Sequence, residues 1–271
     1  MFDIIVPTYR INPAWLEECL QSIKRQTVTD WHCYIVDGTP SDWPQYEELM
    51  LVVDSHLSDD RFTFMRQTGT GVSQARNQGI TAGTSPYIAF LDGDDYWYDE
   101  HLIEFVRAID DEPLGVIYWT AADCIIELTF PKSGEKHSTH RIANHIMNYD
   151  SFSPTERLTA IRLSPLMTSQ VVIIRKDFES LEFGFDTELC LGEDQDLWLR
   201  LLQIRNQGIQ IPAVTGNHRS HPEQTTQGGA QLGGANSDRL ERLQKSRERF
   251  MSRHGYMWSG EGIIREELDT L

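Results

Sequence analysis

Ile4-Ile5-Val6 and Tyr87 to Leu91 (YIAFL) are short apolar runs, Trp31 to Asp37 (WHCYIVD) reads as a strand between them, and each is separated from the next by sequence that reads as helix. A strand apolar at consecutive positions must be covered on both faces, which a sheet achieves when helices pack on either side of it. Pro7 closes the first run, and Asn12-Pro13 then places a capping residue ahead of a proline at the first helical position. Leu16, Cys19, Leu20 and Ile23 follow at i, i+3, i+4 and i+7, which makes one buried helix face. Ser73 to Ala82 forms a second helix, with Ala75, Gly79 and Ala82 on one side. The alternation predicts an α/β fold built on a mostly parallel twisted sheet flanked by helices, with the fully apolar Tyr87 to Leu91 strand at its centre.

Further along, a helix after Asp99 carries Leu102, Ile103, Val106 and Ile109, and two strands are expected at Gly115 to Trp119 and Asp123 to Phe130. Pro131 to Asn148 is polar and aperiodic, so a loop or lid is expected there. Val171 to Ile174 reads as a strand, Asp194 to Ile204 as a helix with Leu197, Trp198, Leu201 and Leu202 inward, and Gly208 to Thr215 as a strand. Gly216 to Gly234, rich in Gly, Gln and Thr, is expected to be a mobile loop ahead of a helical C-terminus. The expected division is a catalytic domain over 1–215, with halves 1–98 and 99–215, followed by the loop and C-terminal helical extension over 216–271.

Lys plus Arg number 24 against 41 Asp plus Glu, a formal charge of −17 that argues against nucleic acid as a partner, since that binding rests on cations neutralising phosphates. A phosphate-bearing ligand would then need a metal or a local cluster of donors. Cys19, Cys33, Cys124 and Cys190 show no CxxC spacing, and the N-terminus has neither a basic leader nor a long apolar run. A cytoplasmic location without a membrane span is the expectation.

Three constellations can carry chemistry. Leu91-Asp92-Gly93-Asp94-Asp95 ends the most apolar strand, at the sheet edge where open α/β folds bind ligands. Asp92 and Asp94, at i and i+2, point the same way, and such carboxylates suit Mg²⁺ or Mn²⁺ completed by substrate phosphates; a solvated acidic turn is the plain alternative. Glu193 and Asp194 open an amphipathic helix, where a carboxylate either accepts a proton from a substrate hydroxyl or simply caps the helix. His218-Arg219-Ser220-His221 follows the last expected strand, and its histidines either complete a metal shell or face solvent. Thr68 to Ser73 precedes a helix and could cradle a phosphate, but it lacks the spacing of a dinucleotide or Walker loop.

Ile5-Val6-Pro7-Thr8-Tyr9, Cys19 to Thr27 (CLQSIKRQT), Tyr34 to Gly38 (YIVDG), Ala75 to Ile80 (ARNQGI), Tyr87 to Asp95 (YIAFLDGDD), Gly184-Phe185-Asp186 and the GEDQDLWLRL run from Gly192 occur in order, and together they resemble family 2 glycosyltransferases of the GT-A fold over about residues 1 to 225. The resemblance implies a nucleotide-sugar site built from Pro7, Thr8, Tyr9, Asp37, Arg76, Asp92, Gly93 and Arg219. It further implies a divalent metal, Mn²⁺ or Mg²⁺, at Asp94 with Asp92 and His221, and Asp194 as general base beside Glu193. Two positions depart from the family pattern: Asp37-Gly38 replaces a pair of acids, and Arg10 stands where Asn is usual.

The implied reaction is inverting transfer of a sugar from a nucleotide-diphosphate sugar, UDP-linked first among donors, to a hydroxyl of a glycan, lipid-linked or small-molecule acceptor. An inactive sugar-binding homologue is the main alternative, against which the presence of Asp92, Asp94, Asp194 and His221 argues. A nucleotidyltransferase would carry a basic, glycine-rich loop near the N-terminus, which Pro7 to Asn12 does not supply. Trp97 and Trp198 are candidates to stack on a sugar, with Trp198 at core spacing. Asp238 to His254 is basic and amphipathic, so it either docks on the protein or contacts an anionic membrane surface.

Overall fold

The first strand, β1 (Phe2–Thr8), lies between two cores, because Ile4 and Val6 turn to one side of the sheet and Ile5 to the other. On the first side they meet Leu16 and Leu20 of α1 (Pro13–Lys24) and Leu49 of α2 (Tyr46–His56). On the second side Ile5 joins Ile80 of α3 (Val72–Ala82). The structure, a computed structural model, describes residues 1–129, 136–143, 166–221 and 236–255. Asn12 caps α1 as expected, its side chain accepting from the Ala14 N–H at 2.9 Å.

The parallel half of the sheet runs β3 (Phe62–Arg66), β2 (Trp31–Asp37), β1, β4 (Tyr87–Phe90), so the C-terminal ends of β1, β2 and β4 share one edge. Beyond β4 the sheet becomes mixed. β8 (Val171–Ile174) pairs antiparallel with both β4 and β6 (Ile117–Thr129), β9 (Gly208–Ser220) runs parallel to β6, and the short β5 (Tyr96–Trp97) closes the edge antiparallel to β9. Helix α4 (His101–Asp111) packs Leu102 and Phe105 into the first core, while Leu197, Trp198 and Leu201 of α6 (Glu193–Ile204) fill the second. A short helix, α5 (Arg175–Glu179), follows β8.

Several expectations require correction. The two strands read between Gly115 and Phe130 are one strand, β6, because Thr120 to Ala122 contains no breaker and the ladder to β9 absorbs two register shifts there. The polar stretch after it is not all loop: β7 (Lys136–Ala143) pairs antiparallel with Ala122 to Thr129. The remainder of Pro131 to Asn148 lies outside the described residues, as does most of the Gly216 to Gly234 segment. β9 continues to Ser220, past the expected boundary at 215, because Asn217 to Ser220 keep pairing with β6.

The last helix, α7 (Asn236–His254), docks on the body of the protein. Leu243 and Phe250 are buried, and Arg249 and Arg253 reach Asp186, so the side offered by the sequence for a membrane is used in packing. Among the described residues no helix is long and apolar enough to cross a membrane. Cys19, Cys33, Cys124 and Cys190 are all thiols rather than disulfides.

Candidate active site

The edge formed by β1, β2 and β4 gathers most of the expected residues. Gly93 lets the turn after β4 lie against β1: a Cβ there would sit 3.1 Å from Thr8 Cγ2 and 3.4 Å from the Pro7 carbonyl. Asp92 accepts a hydrogen bond from Arg76 Nη2 at 2.8 Å, and Nη1 of the same guanidinium reaches Glu193 Oε1 at 2.9 Å. Arg76 is buried, and it joins the acids of the strand end to those of α6.

Gly192 begins α6 with φ +74°, a conformation that favours glycine, and so turns Glu193 and Asp194 toward that bridge. Asp194 is half-buried; Oδ1 accepts from the Gln195 N–H at 2.7 Å and Oδ2 from Thr168 Oγ1 at 3.1 Å. Burial raises the Asp194 carboxyl above the usual carboxylate range despite the Arg76 charge. Burial, and after it the Asp194 charge, pushes Glu193 up to about 7.

On the other side of the turn, His221 Nε2 lies 3.0 Å from Asp94 Oδ2. Burial and the adjacent Asp95 raise the Asp94 carboxyl, with His221 opposing them. The His221 ring rests 4.7 Å from that of Trp15, and the Arg219 guanidinium lies 5.0 Å from the same indole. Arg219 also donates to the Asp94 carbonyl at 3.0 Å and to Glu18 at 2.5 Å. His218 and Arg219 are strand residues rather than loop residues: the Arg219 N–H donates to Asp95 at 2.8 Å, and His218 Nδ1 sits 3.2 Å from the same carboxylate. Burial disfavours the charged form of His218, but Asp95 outweighs it and lifts the imidazole to about 9.

Pro7 and Tyr9 are partly exposed at the end of β1. Thr8 and Asp37 are brought to the same edge but bond to one another at 2.9 Å. Asp37 also accepts from the Thr39 N–H at 3.1 Å and pairs with Arg66, so its carboxylate orders this wall. Trp97 does not offer a face to a sugar: it is fully buried, donates to the Ser169 carbonyl at 2.6 Å and stacks on His101 at 4.1 Å. Trp198 is core, as its spacing indicated.

Ser169, which accepts from the Asp92 N–H at 3.1 Å and donates to Asp95 at 2.5 Å, belongs to none of the motifs read from the sequence, and neither do Thr168, Trp15 and Arg66. Only Arg66 carried a signal, at the end of the alternating Phe62 to Arg66 segment.

Two donors, Asp94 and His221, stand together at this edge, and among the described residues no three His, Cys, Asp or Glu side chains form a metal cage. That donor set fits a hard divalent ion whose remaining positions are filled by substrate phosphate and water.

A half-parallel sheet whose central strand ends in paired acids, faced by an acidic helix start, defines a GT-A-type scaffold. The chain belongs to glycosyl transferase family 2, whose family model matches residues 3–179. The uncharacterized glycosyltransferase EpsJ of Bacillus subtilis (strain 168) is 41% identical over 97 residues, 35% of this chain and 26% of its own length. The succinoglycan biosynthesis protein ExoW of Rhizobium meliloti (strain 1021) is 33% identical over 108 residues, 39% of this chain and 33% of its own. These alignments thus take in a third or less of each relative's length. Among solved structures, S. aureus TarS 1-349 in complex with UDP-GlcNAc shares the fold with a TM-score of 0.67 at 16% identity, covering 98% of this chain and 71% of that one. The mannosyltransferase PcManGT from Pyrobaculum calidifontis, in complex with GDP-Man and Mn²⁺, does so with a TM-score of 0.62 at 16% identity, covering 98% and 68%.

Proposed function

We propose that this chain is an inverting glycosyltransferase that uses a nucleotide-diphosphate sugar, UDP-linked first among donors, and transfers its sugar to an acceptor hydroxyl. The observation that carries the reading is the Arg76 bridge, which holds the acids ending β4 and those opening α6 on one rigid frame. Pro7, Thr8 and Tyr9 form the wall for the nucleotide, with Asp37 ordering it through Thr8, Thr39 and Arg66. Asp94 and His221 are the residues that would hold a divalent ion, and such an ion offsets negative charge on the donor's diphosphate when bound.

Asp194 takes the proton of the acceptor hydroxyl as that oxygen bonds to the anomeric carbon from the face opposite the leaving group. The bond from that carbon to the phosphate oxygen breaks, and its electron pair leaves with the nucleoside diphosphate. Thr168 and the Gln195 N–H hold the Asp194 carboxylate in place for this step, and its raised proton affinity favours the transfer. The thiol state of all four cysteines supports a reducing, cytoplasmic setting.

Asp194→Asn tests the assignment. Turnover of the donor should fall by about 10²- to 10⁴-fold while nucleotide affinity stays near wild type, because the lost group acts on the acceptor proton. Near-normal turnover would move the base elsewhere, with Glu193 the first residue to examine.

A further inference from the structure

The outer end of the mixed sheet carries a row of polar side chains that the transfer step does not use. Tyr96 of β5 pairs with Asn217 of β9, and Asn217 pairs with Asp123 of β6, so three adjacent strands place these side chains side by side on one face. Asn217 Nδ2 donates to Tyr96 Oη at 2.8 Å and to Tyr98 Oη at 3.0 Å, and Tyr98 donates in turn to Asp123 Oδ2 at 2.6 Å. The two phenol rings stand 6.3 Å apart.

This network is left open. Both Asn217 amide hydrogens are used and Asn217 is only 3% exposed, so it fixes the two phenols, and the open positions lie on Tyr96 and Asp123. Tyr96 Oη accepts from Asn217, which leaves its own hydrogen available to donate, and Tyr96, Tyr98 and Asp123 are all partly exposed. Two residues beyond Asn217 on the same strand, Arg219 reaches the Asp94 carbonyl, so the row lies beside the proposed diphosphate pole rather than at Asp194.

We infer that Tyr96, Tyr98, Asp123 and Asn217 form a saccharide subsite that holds a sugar unit of the acceptor chain away from the reacting hydroxyl. The chemistry fits a polyhydroxylated ligand: two aromatic rings, a Tyr96 phenol with a hydrogen to donate and an Asp123 carboxylate that accepts lie in one patch, with the buried Asn217 holding both phenols in place. An aliphatic or purely anionic ligand would leave this set unmatched. The inference rests on the transferase reading for what the sugar belongs to, and on the patch alone for its being a sugar.

Saturation-transfer NMR on the full chain, with methyl glycosides of glucose, galactose, mannose and N-acetylglucosamine as probes, tests it alongside UDP titration in Mn²⁺. At least one glycoside should bind wild type, and Tyr96→Phe and Asp123→Asn should each weaken that binding at least fivefold without changing UDP affinity. Tyr96→Phe keeps the ring but leaves one Asn217 amide hydrogen without its acceptor, so a glycoside loss counts only in a variant whose melting temperature and UDP affinity stay at wild-type values. Absence of glycoside binding to wild type at 50 mM, or binding that both variants leave intact, overturns the subsite. Failure of UDP to bind while glycosides still bind through Tyr96 overturns the transferase reading and leaves the subsite standing.

Discussion

Arg253→Met should destabilise the protein by about 2 kcal/mol, and the structure supplies the reasons for that size. Arg253 donates to Asp186 at 2.7 Å and pairs with Asp196, and both carboxylates are almost fully buried. Removing one partner of a buried pair costs about 3–5 kcal/mol when the other charge is left alone. Here neither is left alone. Asp186 keeps Arg249, and Asp196 keeps Arg200 at 2.9 Å and His254 at 2.9 Å, so about half that cost remains. The methionine stem preserves packing beside Phe183, which Arg253 now covers at 5.0 Å. For a chain of this size the melting temperature should fall by about 4–8 °C.

The effect should also depend on pH. Burial raises both carboxyls, but their cationic partners outweigh it, so Asp186 and Asp196 lie below the usual carboxylate range. A depressed carboxyl stabilises the fold above its unfolded-state pKa and loses that contribution as pH falls through the folded value. The gap between wild type and Arg253→Met should therefore be full at pH 7 and shrink below about pH 4. Calorimetry at several pH values measures it, and a shift under 1 °C at pH 7, or a gap that widens in acid, would show that Arg253 does not hold Asp186 and Asp196 in their charged forms.

Two further outcomes follow from the site. Glu193, lifted to about 7 beside a raised Asp194, keeps a proton on the pair near neutrality, so turnover should climb with pH through this range; Glu193→Gln removes one negative neighbour and should move that limb to lower pH in a rate profile, whereas an unmoved limb would separate the two groups. Ser169→Ala leaves the Asp92 N–H and the Asp95 carboxylate each one partner short and should cost about 1–3 kcal/mol in urea denaturation, with a neutral result contradicting its structural role.

What could be read from the chain divides along a physical line. β1, β4 and α1 were legible because their signals are local: consecutive apolar residues for strands covered on both faces, and i, i+3, i+4, i+7 spacing with an Asn-Pro start for the helix. The paired acids at Asp92 and Asp94 and at Glu193 and Asp194 were legible as motifs, yet their junction through Arg76 was not, since Arg76 and Glu193 are 117 residues apart. The same holds for Glu18 with Arg219, separated by 201 residues, and for Ser169 with Asp92. β7 was hidden because its segment, KHSTHRIA, is polar and pairs with β6 through its backbone. The continuation of β9 was masked by the Gly and polar residues after Thr215, which speak for a turn until β6 is there to pair with them.

Binding decides whether a nucleoside diphosphate sits at Asp94, opposite the proposed base on α6. Thermal unfolding with UDP, GDP and dTDP, each with and without Mn²⁺, would be compared for wild type and Asp94→Ala. At 100 times its Kd a ligand adds about 2.7 kcal/mol of stability, which for this chain is a rise of about 5–10 °C. At least one nucleotide should give that rise, dependent on Mn²⁺ and absent in Asp94→Ala. No shift with any of the three in the presence of Mn²⁺, or an equal shift in Asp94→Ala, would contradict it.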